Sequence, residues 1–295
     1  MCNILIILQE QEDKSMTEKN LETIKNFNAL SYHRNSDGMG IYCSSDNLLV
    51  KQKQIIDLND YKESILKSPV NIFHYRLATS GLTDEYLHPF YIGERYIVVH
   101  NGVMHFKGVK SSVSESDTAI FCRLLEQELV KKKMKAAIEE IFNNYYNYGS
   151  YSIGIYDIKK KILYYFKDSM TSIRTSLIGD MFLIHTNSEY DRYLTIKPGK
   201  LSLAHSTLYT FYYIDNHIYY SSNQLSIKAS SYTVYPDYRS YNSYEKNKDG
   251  FFVPSKDKVT KQTVIDWIDE LNKKKHGVDP DQLTEQEWRD YGGYE

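Results

Sequence analysis

The order of strand-like and helix-like segments constrains the fold of this chain more than any other feature. A short apolar run at residues 3–9 predicts a buried strand, and apolar residues at helical spacing predict helices over 116–130 and 135–144. A capping-box pattern at residues 15–18 predicts the start of an earlier helix. The other β-rich runs lie at residues 41–43, 71–74, 96–100, 151–157, 162–167, 181–186, 209–214 and 218–222. Strands on both sides of a helical pair favour helices outside antiparallel sheets over a regular βαβ alternation, so the predicted fold class is α+β.

Composition and charge exclude several classes of protein. The chain is 41% hydrophobic and 25% charged, which is enough apolar material for a full core. Its net charge of −2 and its pI near 6.5 provide no basic field for a nucleic acid. The early apolar run at residues 4–8 is too short to cross a membrane and lacks the positive flank of a signal peptide. We therefore expect no nucleic-acid partner and no membrane association.

The cysteines indicate the compartment. Cys2, Cys43 and Cys122 form no CxxC pair and have no metal-ligand spacing. This usage is typical of a protein kept in a reducing environment. The sequence therefore predicts a cytoplasmic protein without a disulfide framework, a metal site or a cofactor.

The composition changes toward the C-terminus. Residues 230–258 are rich in Tyr, Ser, Asn, Lys and Asp and show little apolar periodicity, which predicts an irregular segment. One short amphipathic helix is predicted around Trp267 and another after Pro280. The predicted organisation is a domain at residues 2–225, followed by a polar, Tyr-rich extension at 226–295 with one or two short helices.

Cys2 is a candidate nucleophile. Methionine aminopeptidase normally removes Met1 before a residue as small as Cys, which would make Cys2 the N-terminal residue. An α-amino group has a pKa of about 7.7–8.0, close to the roughly 8.5 of a thiol, so it can take the thiol proton directly or through a water. The alternative is a cysteine that stands at position 2 by chance.

Three further segments each allow a functional and an ordinary interpretation. Arg76, at the end of a predicted strand, either binds a carboxylate with its planar fork or makes a surface ion pair. Asn101 and Gly102 either form a turn or direct a side-chain amide and a backbone N–H at a developing oxyanion. Asp117, at a helix start beside Ser116, either belongs to an N-cap or binds a substrate ammonium group.

The order and spacing of these segments resemble those of the class II (N-terminal nucleophile, Ntn) glutamine amidotransferases. That family has an N-terminal Cys, then Arg-x-Ala-Thr-x-Gly, His-Asn-Gly and Ser-Asp-Thr. The same pattern stands here at Cys2 and at residues 76–81, 100–102 and 116–118. Weaker matches lie at residues 35–41, 88–90, 149–157 and 167–174. Each motif alone is weak, but the ordered set is specific, and the resemblance covers about residues 2–205.

The resemblance implies a fold and a reaction. The fold is a four-layer αββα sandwich of the Ntn-hydrolase type, with two antiparallel sheets flanked by helices. The reaction is attack of Cys2 on the side-chain amide of L-glutamine, release of ammonia, formation of a γ-glutamyl thioester and its hydrolysis to glutamate.

The resemblance also implies roles for the other site residues. Asn101 and Gly102 would form the oxyanion hole. Arg76, with Thr79 in the same pocket, would bind the α-carboxylate of glutamine, and Asp117 would bind its α-ammonium. A free amino acid carries one positive and one negative charge, so a site selective for it needs one anionic and one cationic side chain.

Some features depart from the family pattern. Ser80 stands where many family members have His, and Leu77 stands where some have Trp or Tyr. Residues 168–174 lack the family's Gly. The chain has no P-loop, no pyrophosphatase loop of the asparagine synthetase type and no phosphoribosyltransferase-like acidic run. We therefore expect a stand-alone amidotransferase domain that either passes ammonia to a separate partner protein or simply hydrolyses the amide.

Two other functions stay open on the sequence. One is an Ntn amidohydrolase that acts on a different amide, against which the pairing of Arg76 with Asp117 argues. The other is a non-catalytic protein that keeps the fold for binding or assembly. We interpret His74, His88 and His100 as hydrogen-bonding residues and not as metal ligands, and the oligomeric state is left undetermined.

Overall fold

The first predicted strand, β1 (Asn3–Gln9), lies inside a sheet and is buried along its whole length. The structure is a computed structural model that describes residues 2–10, 18–77, 84–109, 115–178, 181–186, 197–199, 201–214, 217–227, 245–246 and 252–253. In it, β1 pairs antiparallel with β4 (Val70–Tyr75) on one edge and with β10 (Met181–His185) on the other. A strand with neighbours on both edges and a layer on each face has no polar side, which explains its continuous apolar run.

Four further strands complete the first sheet: β2 (Met39–Cys43), β3 (Leu48–Gln52), β9 (Arg174–Ile178) and β11 (Lys197–Pro198). The strand order is β11-β9-β10-β1-β4-β2-β3. Every pair is antiparallel. β1 is therefore the central strand of this sheet, and Cys2 directly precedes it.

The second sheet has six strands: β5 (Phe90–Ile92), β6 (Tyr96–Phe106), β7 (Tyr146–Asp157), β8 (Ile162–Lys167), β12 (Thr207–Ile214) and β13 (His217–Gln224). Their order is β13-β12-β8-β7-β6-β5, and every pair is antiparallel. The long strand β6 lies next to β7, and their ladder runs from Tyr96 to Phe106 on β6.

Two helices cover the outer face of each sheet. They are α1 (Glu18–Arg34) and α2 (Lys62–Lys67) on the first sheet, and α3 (Asp117–Leu129) and α4 (Met134–Asn144) on the second. Phe27 of α1 packs its ring against Tyr75 and His185. Apolar residues of α3 and α4 form one buried cluster with the second sheet, including Phe121, Leu125, Ile138, Ile141, Val98, Met104, Ile153 and Phe166. Among the described residues, no helix has the length and hydropathy to cross a membrane.

The two sheets pack face to face through a second buried cluster. It joins Ile4, Ile6, Leu8, Tyr42, Val70 and Ile72 of the first sheet to Ile97, Val99, Tyr156, Leu163 and Tyr165 of the second. Alternate residues along each strand supply this core, as the period of two requires. The molecule is thus helix, sheet, sheet, helix, and the predicted α+β sandwich of two antiparallel sheets flanked by helices is confirmed.

Several elements differ from their predictions. The strand expected to end at His100 continues through Asn101 and Gly102 to Phe106, because β7 pairs with the whole of it. The partner strand begins at Tyr146, before the predicted residues 151–157, for the same reason. Among these elements, the sequence did not predict four short strands and one short helix, namely β3, β5, β9, β11 and α2.

Residues Ala229–Glu295 form a second compact unit, separate from Met1–Lys228. In this unit the structure describes a hairpin of β14 (Glu245–Lys246) and β15 (Phe252–Val253), which pair antiparallel. The helices predicted around Trp267 and after Pro280 lie outside the described residues.

Candidate active site

Cys2 lies at the start of β1, beside the end of β4. Asn3 pairs with Tyr75, so Cys2 and Arg76 are the next residues beyond the ladder on neighbouring strands. The half-buried thiol contacts both backbone polar groups of Leu77. The Leu77 nitrogen is 3.5 Å from the Cys2 Sγ, and that Sγ is 3.6 Å from the Leu77 carbonyl oxygen. The candidate nucleophile is therefore held by the backbone that follows Arg76.

The surroundings of Cys2 both oppose and favour its thiolate form. Burial raises the pKa of the thiol, and the Asp117 carboxylate adds to this rise. The Leu77 backbone N–H and the Arg76 guanidinium lower the pKa without cancelling the effect of burial. The resting sulfur is therefore a thiol, and it needs a base before it can attack.

Arg76 is buried, with 5% of its surface exposed. Its backbone N–H donates to the Gly38 carbonyl at 2.8 Å, and its carbonyl accepts from the Asp37 N–H at 3.2 Å. These bonds fix the end of β4 against the start of β2. An ordinary surface ion pair, the alternative interpretation of Arg76, is wrong because the residue is not on the surface.

Asn101 and Gly102 lie within β6, opposite Ser152 and Tyr151 of β7. Gly102 has a φ of +138°, and a Cβ atom there would come within 2.1 Å of the Ser150 carbonyl oxygen, so the position requires glycine. Asn101 is 3% exposed, and its Oδ1 atom has no hydrogen-bond partner among the described residues. The alternative interpretation as a turn is wrong, and the strand instead carries a buried amide whose oxygen the described part of the protein does not use.

Asp117 is the first residue of α3, and Ser116 is the N-cap, whose hydroxyl accepts from the Ala119 N–H at 3.2 Å. The Asp117 carboxylate accepts two further backbone N–H groups, from Thr118 on Oδ1 and from Met104 on Oδ2, each at 2.8 Å. Met104 belongs to β6, so these bonds fix the start of α3 to the strand that carries Asn101. The side chain is 22% exposed and keeps some access to solvent.

Polar side chains replace the apolar core at one end of the space between the sheets. Asn101, Ser152 and Lys167 are opposite one another on β6, β7 and β8, and directly opposed residues share a face. This face also carries Val99, Tyr156 and Tyr165 of the inter-sheet core. On the first sheet, Ile4 of β1 and Ile72 of β4 face the space between the sheets. Cys2 is two residues before Ile4 and Arg76 is four residues after Ile72, so the period of two places both on the same face. The two sheets therefore end in facing polar rows.

The sequence did not single out Ser152, or Lys167 by itself. Ser152 is fully buried and Lys167 is 9% exposed. The Lys167 Nζ donates to the Asp168 carbonyl oxygen at 2.6 Å, and burial lowers the pKa of its ammonium group. Lys167 follows Leu163 and Tyr165 at a spacing of two, so a charge on a buried face was the signal available in the sequence.

The structure brings three of the predicted site residues together, namely Cys2, Arg76 and Asp117. Arg76 and Asp117 both lie close enough to Cys2 to shift the pKa of its thiol. Asn101 and Gly102 are on β6, the strand to which the Asp117 carboxylate is bonded through Met104. Thr79, the remaining predicted substrate-binding residue, lies outside the described residues.

Three buried histidines lie behind this site. The His74 Nε2 is 3.2 Å from the His100 carbonyl oxygen, and the His100 Nδ1 is 2.9 Å from the Thr118 Oγ1, which confirms the hydrogen-bonding prediction for these two residues. The His88 ring lies 4.0 Å from that of His74, and neither of its nitrogens has a hydrogen-bond partner among the described residues. Burial lowers the pKa of all three, to about 3 for His74.

No protein-family model matches this sequence, and no curated protein matches it. Solved structures do match its fold. Glutamine phosphoribosylpyrophosphate (PRPP) amidotransferase from B. subtilis, complexed with ADP and GMP, is 14% identical with a TM-score of 0.53. The allosteric regulatory enzyme of purine biosynthesis is 16% identical with a TM-score of 0.54. Each alignment covers 77% of this chain and 50% of the other, so the chain spans about half the length of these proteins. At this identity the likeness shows the fold alone, which is that of the Ntn-hydrolase type.

Proposed function

We propose that the protein hydrolyses the side-chain amide of L-glutamine through a γ-glutamyl thioester on Cys2 and releases ammonia, as a class II glutamine amidotransferase domain does. The observation that carries the proposal is the position of the Cys2 thiol. It is held by the Leu77 backbone beside Arg76, and Asp117 is near enough to act on its charge. A nucleophile flanked by one cation and one anion fits a substrate that carries both charges.

The first step is attack on the amide carbon. Once Met1 is removed, the α-amine of Cys2 takes the thiol proton, and the sulfur adds to the side-chain carbonyl carbon of glutamine. A thiol is a poor nucleophile, so it must lose its proton to this amine before or during the attack. The Leu77 N–H at 3.5 Å can donate to the sulfur as negative charge develops on it.

The carbonyl oxygen becomes an oxyanion during this attack. Asn101 and Gly102 are the residues we assign to it, through the Asn101 side-chain amide and the Gly102 backbone N–H. Both lie on a strand held by the β7 ladder, so these donors would not need to move as the charge develops.

The second half of the reaction releases both products. The tetrahedral intermediate collapses by breaking its carbon–nitrogen bond, and the amine returns the proton to the leaving nitrogen, which departs as ammonia. Water, deprotonated by the same amine, then attacks the thioester carbon, and the carbon–sulfur bond breaks to give glutamate and the free thiol. Arg76, with Thr79, would hold the α-carboxylate throughout, and Asp117 would hold the α-ammonium.

The ammonia would serve a separate acceptor or partner protein, or be released to solvent. In this proposal residues 2–225 are the glutaminase domain, and the C-terminal unit does not take part in amide hydrolysis. A non-catalytic binding protein with the same fold is the competing function.

The deciding experiment is glutamate release from L-glutamine by the purified full-length protein and by its Cys2→Ala variant, with the intact mass of each. A mass without Met1 together with glutamate from the wild type alone supports the proposal. If Met1 is absent and neither protein releases glutamate, the competing function takes its place.

A further inference from the structure

His100 links the two ends of the candidate site. It directly precedes Asn101 on β6, its ring faces α3, and it is 2% exposed. Its Nδ1 atom is 2.9 Å from the Thr118 Oγ1, and its carbonyl oxygen is 3.2 Å from the His74 Nε2. His74 lies two residues before Arg76 on β4, and Thr118 directly follows Asp117 on α3. A single residue of β6 is thus bonded next to both charged groups.

The contacts continue from His100 to the Asp117 carboxylate. The Thr118 hydroxyl is 3.4 Å from the Asp117 Oδ1, the oxygen that also accepts the Thr118 backbone N–H. The His100 Nδ1 is 3.9 Å from the Asp117 Oδ2. Stabilising the helix N-terminus does not by itself require these contacts, because Ser116 already caps α3 and Asp117 reaches across to the Met104 N–H of β6.

The charge state of His100 matters for what Asp117 can bind. Burial lowers the pKa of His100 more than the Asp117 carboxylate, the Ser150 backbone and the Asp168 carboxylate raise it. Burial also lowers the pKa of His74, to about 3. The ring beside Asp117 is therefore uncharged. An uncharged neighbour orients the carboxylate without cancelling its negative charge, which a substrate cation needs.

We propose that His100, acting through the Thr118 hydroxyl, is a positioning residue that sets the orientation of the Asp117 carboxylate for a substrate ammonium group. This inference rests on the proposed function, because it assigns Asp117 to the α-ammonium of the substrate. It goes beyond that proposal by naming two buried residues, neither in contact with substrate, that decide selectivity for an α-amino acid amide over an amide without the amine.

The test compares two substrates on matched variants. L-Glutamine and 4-carbamoylbutanoate share the amide and the carboxylate, but only glutamine has the α-amine. Thr118→Val removes the hydroxyl at constant shape, and Thr118→Ser retains it. His100→Gln moves the polar atom away from Thr118, whereas His100→Asn keeps one near the Nδ1 position.

We expect Thr118→Val and His100→Gln each to raise KM for L-glutamine about tenfold, with kcat changed less than about twofold. Their kcat/KM for 4-carbamoylbutanoate should stay near wild type, so the preference for glutamine falls about tenfold. Thr118→Ser and His100→Asn should keep the preference. The double variant should lose no more than either single one, because both changes interrupt the same contact.

The outcomes separate the inference from the function. Equal losses on both substrates would overturn the inference, since a merely structural role affects both alike. Urea unfolding and iodoacetamide labelling of Cys2 check that each variant is folded. If the wild type releases no glutamate, the proposed function fails, and the inference is then decided by calorimetric binding of L-glutamate against glutarate. If the wild type binds L-glutamate more tightly than glutarate and Thr118→Val does not, the inference is supported. If the wild type binds the two equally, the inference is overturned together with the proposed function.

Discussion

Cys2 and Leu77 contact each other through both backbone polar groups of Leu77. The Leu77 nitrogen lies 3.5 Å from the Cys2 Sγ, and the Leu77 carbonyl oxygen lies 3.6 Å from it. A thiol can donate to the carbonyl, and a thiolate can accept from the N–H, so the same residue serves both protonation states of the sulfur. The sequence separation of 75 residues means that this geometry exists only in the folded chain.

The pH dependence of Cys2 alkylation follows from its surroundings. Because burial raises its thiol pKa, we expect iodoacetamide to modify Cys2 more slowly at pH 7.5 than it modifies an unfolded cysteine. As pH is increased, the alkylation rate of Cys2 should still rise at pH values where the rate of an unfolded cysteine no longer changes. Arg76→Met should raise the pKa further and Asp117→Asn should lower it, since the two charges act in opposite directions. Mass spectrometry of peptides that contain Cys2 measures this, and shifts of the same sign in both variants would contradict it.

Substitution of Gly102 tests how tightly β6 and β7 fix the site. In Gly102→Ala the new Cβ meets the Ser150 carbonyl oxygen at 2.1 Å, a backbone atom that cannot move without opening the ladder. We expect a loss of about 3 kcal/mol in the free energy of unfolding by urea. Gly108→Ala is the control. It also has a positive φ, of 68°, but nothing lies within 4 Å of its added Cβ, so it should lose only about 1 kcal/mol. Similar losses in both variants would mean that backbone strain, not the contact, decides the outcome.

The bounds of two strands could be predicted from the sequence. β1 has the bounds of the apolar run at residues 3–9, because a continuous apolar segment has few alternatives to a buried strand. β8 has the bounds of the β-rich run at residues 162–167. The end of β6 could not be predicted. Asn101 and Gly102 are a pair typical of turns, but they stay in the strand because β7 pairs with them, and this pairing is a long-range contact.

The candidate site divides in the same way. Cys2, Arg76, Asn101 and Asp117 were found as an ordered set of motifs, which the family resemblance placed together. The contact of His100 with Thr118 was not predicted, because it depends on which face of β6 meets α3. The Leu77 backbone was missed for another reason. Its N–H and carbonyl act through position alone, and every residue other than proline carries both.

Because of its buried histidines, we expect the protein to lose stability as pH falls. His74, His88 and His100 have lowered pKa values in the folded protein, about 3 for His74, against about 6.5 in an unfolded chain. Above pH 6.5 both states are neutral, and stability does not depend on these groups. As pH falls below 6.5 the unfolded chain binds protons that the folded one does not. For His74 the free energy of unfolding should fall by about 1.4 kcal/mol per pH unit until pH approaches 3.

The variant His88→Phe removes the contribution of one histidine to this pH dependence. The ring keeps its contacts with His74 and Phe90, and the variant loses two buried nitrogens that have no partner in the described part of the chain. Because burial holds the pKa of His88 well below 6.5 in the folded protein, we expect the slope of unfolding free energy against pH to be smaller in the variant below pH 6, by at most about 1.4 kcal/mol per pH unit for one proton. At pH 7.5 the variant should be at least as stable as the wild type, because a buried unpaired polar group is removed. An unchanged slope in urea titrations at several pH values would show that His88 does not titrate on unfolding.

Loss of the Arg76 charge and loss of the Asp117 charge should have opposite effects on two truncated substrates. 4-Carbamoylbutanoate keeps the carboxylate of glutamine without its amine, and 4-aminobutanamide keeps the amine without the carboxylate. A charged hydrogen bond contributes about 1.5–3 kcal/mol, so Arg76→Met should lower kcat/KM by about 10- to 100-fold for L-glutamine and 4-carbamoylbutanoate, and hardly at all for 4-aminobutanamide. Asp117→Asn should lower it for L-glutamine and 4-aminobutanamide instead. Because Arg76 is 5% exposed, thermal unfolding of each variant must accompany the kinetics. Equal losses on all three substrates would mean that these residues support the site and do not bind the ends of the substrate.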